Sequence, residues 1–472
     1  MKFRPGKFFG SGSLYAFGLI APILAMLVAT PLVTRMLGPA EYGVVGISIT
    51  LNQALSMLLT LGLPYAITRH AIIMKSGVRG AAGLVALGAA AALVFAFGLA
   101  LLIPFWGTVV FDRSLVWTLI WPICSASGLA LLSLAQAFFR ALDMVWIFVM
   151  LGTMSSLLGP AAGFALLTWS TSNPENYLRG LGIGHLAVGV VAVGVVLIKT
   201  APQVTLREFW ESIRISLPTV PHTVAATFLA STVVILSAQL YGVEFGGQVQ
   251  LALLLGTAPT VLLGAFNNSW APLIYRASES TRTKVLEQSL VAIAVLVYLL
   301  VSGYVVLSPT VVSFIAGPQL FSDDMLVATL VVTVAAPIMA LYLANIHLVF
   351  LDGRTAPLAF TTPVSLALAL GVTYAIALSL GRPHIWAFAI GIPVFHLAQW
   401  GMAYAIRRRT PFAGPKITRS VPILACAAAL SVTAAAWLPN MFILLALAIV
   451  GALVVYLAMR ILSNQGVQVR ES

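Results

Sequence analysis

Gln136 and Arg140 stand four residues apart, on one face of any helix that carries them. An amide beside a guanidinium suits an oxyanion, because Arg offers a planar fork of donors matched to phosphate oxygens. His396 and Gln399 form a second polar pair at i, i+3, and Asn267 and Asn268 set two amides side by side. Asn52, Gln53, Asn345, His347 and His222 are further polar side chains set in apolar sequence. Arg69 and Arg276 each follow a proline, in "LPYAITR" and "APLIYR". Together these groups could hold an anionic head and hydrogen-bond to hydroxyls. Each also has a plain structural reading. A lone Asn or His within a span serves equally as an interhelical hydrogen bond of about 0.6 kcal/mol. Arg140 could snorkel to inner headgroups, and Arg69 and Arg276 could be charge anchors. No nucleotide-binding glycine loop, metal-ligand cluster or catalytic triad spacing is present. The expectation is a protein that is not an enzyme and uses no cofactor and no metal.

The elements that must position these residues are set by composition. Of 472 residues, 60% are hydrophobic and 8% charged, against roughly half and a quarter in a soluble domain. Apolar runs of about 20 residues, enough to cross a bilayer core of roughly 30 Å, recur throughout. Runs this long and continuous are helices, since barrel strands alternate in short segments. The expected fold is therefore an all-α polytopic membrane protein. About fourteen transmembrane helices are expected, near 13–34, 44–68, 81–103, 114–138, 145–168, 180–198, 216–240, 247–272, 285–308, 325–350, 357–380, 384–406, 418–438 and 441–462. The basic start "MKFRPGKFFGSGS" reads as leading into a retained first helix, not a cleaved signal. Cys124 and Cys426 read as small buried residues.

With the N-terminus inside, about 21 of the 25 basic residues fall on inside segments. Only Arg35, Arg113, Arg179 and Arg382 fall outside. The positive-inside rule expects such a bias, so both termini are expected in the cytoplasm. The net charge of +12 then reflects topology, and no soluble basic surface invites nucleic acid. In the longest inside segment, Leu206, Phe209, Trp210 and Ile213 recur at helical spacing opposite Arg207, Glu208, Glu211 and Arg214. That pattern predicts an amphipathic helix lying on the membrane lipids of the cytoplasmic leaflet. The expected organisation is a six-helix bundle over 1–198, this linker over 199–215, a second six-helix bundle over 216–406, and a basic loop with two further helices over 407–472.

A repeat supports that division. "GPAEYG" (38–43) joins the first two spans and "GVEFG" (242–246) joins the seventh and eighth. The Pro-to-Arg endings at Arg69 and Arg276 then correspond. Parallel repeats of this kind share an axis along the membrane normal. Within the first turn, Gly38 is placed for a left-handed helix cap, Pro39 for a helix start, Glu41 for the positive end of the dipole and Tyr42 for the headgroup interface. The functional reading of the same turn is a gate, in which Arg35 and Glu41 pair with Glu244 of the second repeat.

"TRMLGPAEYGVVG" followed by "LTLGLPYAITR" resembles the opening of polysaccharide transporters, the O-antigen flippase branch of the multidrug/oligosaccharidyl-lipid/polysaccharide exporter superfamily. "RISLPTVPHTV" (214–224) is similar to the start of that family's seventh helix, and "SFIAGPQLFSDDM" (313–325) to its loop between the ninth and tenth. The resemblance implies two six-helix bundles in a V shape plus two C-terminal helices. It implies transfer of an undecaprenyl-diphosphate-linked oligosaccharide across the bacterial inner membrane, for lipopolysaccharide or exopolysaccharide. It also implies a polysaccharide polymerase and a chain-length regulator as partners. Many members carry a charged pair in the seventh helix; here that region is "LASTVVILSAQLYG" (229–242), whose polar residues are Ser231, Thr232 and Gln239. Two other functions compete. An ion-coupled multidrug antiporter of the same superfamily would be expected to keep a buried Asp or Glu. A membrane glycosyltransferase or polysaccharide polymerase would need a larger outside loop than 104–113 or 169–179.

Overall fold

A computed structural model of the chain describes residues 28–73, 76–142, 144–217, 220–275, 277–352, 357–415, 419–436, 449 and 451. Among them the regular structure is helical, with no strand. In order the helices are α1 (Val28–Leu37), α2 (Pro39–Leu59), α3 (Leu63–Ile73), α4 (Gly77–Leu101), α5 (Ile103–Trp106), α6 (Ile120–Ala141), α7 (Val145–Trp169), α8 (Pro174–Lys199), α9 (Leu206–Ser216) and α10 (Val220–Tyr241). There follow α11 (Val243–Gly256), α12 (Ala258–Tyr275), α13 (Glu279–Leu320), α14 (Asp323–Thr333), α15 (Ala335–Asp352), α16 (Leu358–Ser379), α17 (Ile385–Ala389), α18 (Gly391–Arg407) and α19 (Ser420–Ala436).

Among the described residues, nine helical stretches are long and apolar enough to span a membrane. A tenth is counted if α11 and α12, bent by 43° at Thr257, form one span. The expected span 441–462 and most of 13–34 lie outside the described residues. The expected span 44–68 is not one helix. It breaks at Thr60–Gly62, where Leu61 and Gly62 take φ of 53° and 72°. The sequence there, Gly62-Leu63-Pro64, carries a glycine able to hold that conformation and a proline suited to the next helix's first turn. α13 runs 42 residues and is kinked at Gly317, whose φ is 69°.

The described residues fall into two compact units, one within Ile20–Gln250 (the N-unit) and one within Leu251–Ser472 (the C-unit). In the N-unit, α6 is the central helix and packs on α2, α3, α4 and α8, while α7 packs on α8. Small residues bring these backbones together. A Cβ on Gly128 would lie 2.3 Å from the His185 carbonyl oxygen, and one on Gly189 2.3 Å from that of Gly128. Close approach of this kind is how helices gain contact in lipid, where water supplies no apolar driving force between them. In the C-unit, α15 packs on α12, α13 and α18, α16 on α18, and α19 on α13 and α14.

α9 begins with a capping box. Thr205 accepts from the Glu208 N–H, and the Glu208 carboxylate accepts from the Thr205 N–H. The hydrogen bonds from Thr205 hold the Glu208 carboxyl below its ordinary pKa. The expected apolar stripe is divided. Phe209 and Ile213 are buried, whereas Leu206 and Trp210 are exposed. The buried side packs on α3, so α9 is docked on protein along one edge and leaves only the other exposed. Two further expectations are corrected. Tyr42 is buried and not interfacial, and Cys426 is exposed.

Candidate functional site

The Gly38 turn is built largely as its sequence suggests. Pro39 occupies the first turn of α2 and Glu41 lies in that turn. Gly38 has φ 74° and ψ 175°, an extended conformation at positive φ. That region is all but reserved for glycine, and it is not the left-handed helical cap that was expected. A Cβ on Gly43 would lie 2.2 Å from the Val243 carbonyl oxygen, and one on Gly247 2.5 Å from the Gly43 Cα. The two repeat turns therefore abut, backbone against backbone, within the N-unit. The Tyr42 hydroxyl donates to Gln250 Oε1 at 3.4 Å, and Ser231 Oγ on α10 donates to the Thr50 carbonyl on α2 at 3.1 Å. Glu41 and Glu244 are exposed and form no ion pair among the described residues. What joins the turns is glycine backbone, with the charges on its rim. Arg35, on α1, is exposed.

Arg140 ends α6, is exposed, and makes no ion pair among the described residues. Gln136 does not join it. Its Nε2 donates to the Phe148 carbonyl of α7 at 3.1 Å, so it fastens α6 to α7. Arg69 lies on α3, which packs on α6, and is partly exposed. In the C-unit, Asn267 lies on α12 with a buried Oδ1 that has no hydrogen-bond partner among the described residues. His396 and Gln399 lie on α18, where Gln399 is buried and His396 Nδ1 has no partner among the described residues. Arg276 lies outside the described residues, as do the side chains of Asn268 and His222.

The structure adds two polar centres, of which the sequence reading named Asn52 alone. Asn52 Nδ2 donates to Ser125 Oγ at 3.0 Å, and Ser125 Oγ lies 2.7 Å from His185 Nδ1. This buried chain joins α2, α6 and α8, and Gly159 of α7 closes on the Nε2 edge of the imidazole. The signal for it was a lone His inside the glycine-spaced run "GLGIGHLAVG" (180–189). The second centre is His70, buried between Ser76 Oγ at 3.2 Å and Ser212 Oγ of α9 at 3.1 Å. Burial lowers the His70 pKa, opposed by the nearby Glu208 carboxylate and assisted by Arg69. Among the described residues, no three His, Cys, Asp or Glu side chains gather as a metal site.

A family model described as "Polysaccharide biosynthesis protein" matches residues 10–278, more than half of the chain. No curated protein matches. Among solved structures, the lipid II flippase MurJ in an inward closed conformation is similar with TM-score 0.63 and 14% identity, over 96% of this chain and 99% of that one. The eukaryotic MATE transporter AtDTX14 is similar with TM-score 0.62 and 13% identity, over 90% and 97%. A multidrug resistance MATE family transporter of the MOP superfamily, in an outward-facing conformation, is similar with TM-score 0.61 and 14% identity, over 87% and 94%. At such identities the likeness is one of fold.

Proposed function

Because the chain belongs to the polysaccharide biosynthesis protein family, we propose that it is a flippase for an undecaprenyl-diphosphate-linked oligosaccharide, which it carries from the inner to the outer leaflet of the bacterial inner membrane. The family match over 10–278 carries this reading, and the likeness to a lipid II flippase is in keeping with it. The reading includes fourteen spans in two bundles of six plus two, with both termini cytoplasmic. A polymerase and a chain-length regulator act on the delivered product.

The chemistry required is modest. A diphosphate needs cations near the inner headgroups, and the sugar needs hydrogen-bond partners along a wet path. Arg140 has an exposed guanidinium at a helix end with no ion pair among the described residues, and Arg69 and Arg276 stand at corresponding places in the repeat. Asn267, Asn268, His396 and Gln399 are the candidate sugar partners. Gln136 is better placed to hold α7 than to touch substrate. The abutting turns at Gly43 and Val243 act as the outer gate, with Arg35, Glu41 and Glu244 at its rim.

The test is chemical. Lipid extracts from cells lacking this protein should accumulate a prenyl-diphosphate-linked oligosaccharide on the cytoplasmic side, while surface polysaccharide falls. Unchanged lipid-linked sugar together with normal surface polymer would end the reading.

A further inference from the structure

Arg407 closes α18, and its guanidinium is clamped. Its Nε donates to Asn345 Oδ1 on α15 at 2.8 Å. Asn345 is 5% exposed, and its Nδ2 donates to the Leu341 carbonyl one turn back at 2.8 Å. That second bond fixes which face of the amide meets the arginine. After α18 the chain turns back through Thr410, whose N–H and hydroxyl both donate to the Arg407 carbonyl. The loop then runs against the two terminal nitrogens. A Cβ on Gly414 would lie 2.4 Å from one and 2.9 Å from the other.

A second cation holds the same loop from α13. The guanidinium carbon of Arg282 lies 5.2 Å from the centre of the Phe412 ring. One of its terminal nitrogens donates to the Ala277 carbonyl at 2.9 Å, and its Nε is buried without a hydrogen-bond partner among the described residues. Neither Arg282 nor Arg407 has a carboxylate within ion-pair distance among the described residues. The sequence has no Asp or Glu between Asp352 and Glu471, while Arg408 and Arg409 follow directly.

A positive-inside anchor needs only a mobile charge near the headgroups. It has no use for a buried amide that sets the plane of the guanidinium. Arg407 is only partly buried. Its Nε is held by a neutral partner. Among the described residues its terminal N–H groups, beside which the loop can pass only because residue 414 is glycine, make no hydrogen bond, so that fork can still meet two oxygens of a phosphate. We propose that Arg407, oriented by Asn345 and backed by Arg282 and the 410–415 loop, binds the phosphate of a lipid headgroup. Two lipids carry that chemistry, a prenyl diphosphate and an anionic phospholipid. Naming the first as ligand rests on the flippase reading; binding of a phosphate ester does not.

The test uses the full chain in phosphatidylcholine nanodiscs, titrated with farnesyl diphosphate in one arm and with phosphatidylglycerol in the other, bound lipid being read by native mass spectrometry. Arg407→Gln should weaken binding of at least one probe by about tenfold or more, as expected for losing charge-assisted bonds. Asn345→Ala leaves the charge untouched and should weaken the same probe by a smaller factor. Arg408→Gln removes an equal charge without an oriented group and should change little. Should Arg407→Gln fold poorly, Arg407→Lys decides: charge kept and fork lost should still weaken binding several-fold. A loss confined to farnesyl diphosphate assigns the prenyl diphosphate, and a loss confined to phosphatidylglycerol assigns a structural lipid. Equal effects of Arg407→Gln and Arg408→Gln on both probes, or no effect of any variant, overturn the proposal. Failure of the flippase reading shows separately, in the lipids of deletion cells.

Discussion

Placing one methyl group at Gly43 tests whether the joined turns are a moving seam. The added Cβ would sit 2.2 Å from the Val243 carbonyl oxygen and 2.7 Å from its carbon, against 3.4 Å for ordinary contact. Both neighbours are backbone, so no rotamer change relieves the clash, and α2 and α11 must part by about 1 Å. Overpacking of this kind costs about 1–3 kcal/mol. If the seam opens during transport, that cost falls on the closed state only. The open population then rises about fivefold to 150-fold. The reporter is Gln250→Cys, a position 5% exposed beside Tyr42, in a chain whose Cys124 and Cys426 are replaced by alanine. Gly43→Ala should raise its labelling by a membrane-impermeant maleimide and depress polysaccharide export at equal protein abundance. Gly264→Ala is the control, since a Cβ there meets nothing within 4 Å. Labelling and export that match the control would refute the seam as a moving part.

Arg140→Gln should lower export per molecule and Arg140→Lys should be intermediate, whereas simple snorkelling predicts full activity for the lysine; quantitative surface polysaccharide at matched abundance distinguishes them. Gln136→Leu should cost about 1 kcal/mol of stability by removing the hydrogen bond that ties α6 to the Phe148 carbonyl of α7, seen as a lower thermal midpoint, with transport per folded molecule unchanged. The lowered His70 pKa means the unfolded or undocked state binds a proton more readily. The stability His70 lends to α9 docking is thus present above the ordinary value of 6.5 and lost as pH falls through the lowered one. Hydrogen exchange in α9 should accelerate on acidification, and His70→Asn should flatten that dependence.

The spans were legible where apolar runs have clear ends. α7 covers 145–169 against an expected 145–168, bounded by a tryptophan and a Ser-Thr-Ser turn. The break at Thr60–Gly62 was missed because hydropathy does not change across it; Gly62 and Pro64 were the available signal. The two matching turns were visible as a motif and were expected to meet through their charges, but not through glycine backbone. Sequence shows where a glycine is and never what approaches it. The same limit hid the role of Gln136: its spacing to Arg140 suggested a shared ligand, while its nearest acceptor was a carbonyl on the neighbouring helix. His185 escaped because a single imidazole in an apolar run has no periodicity to betray its partners, Ser125 and Asn52.

The contact between Tyr42 and Gln250 spans 208 residues of sequence. At translation rates of about 5–20 residues per second, α2 waits roughly 10–40 s between its own synthesis and that of its partner. Through that interval the notch at Gly43 and Gly46, which Val243 and Gln250 will later fill, faces lipid or whatever helix is at hand. A face made of glycine is a forgiving one to leave waiting, since it offers a rival helix few side chains to grip. The same bareness that lets the finished turns meet also leaves the nascent chain uncommitted until its second repeat arrives.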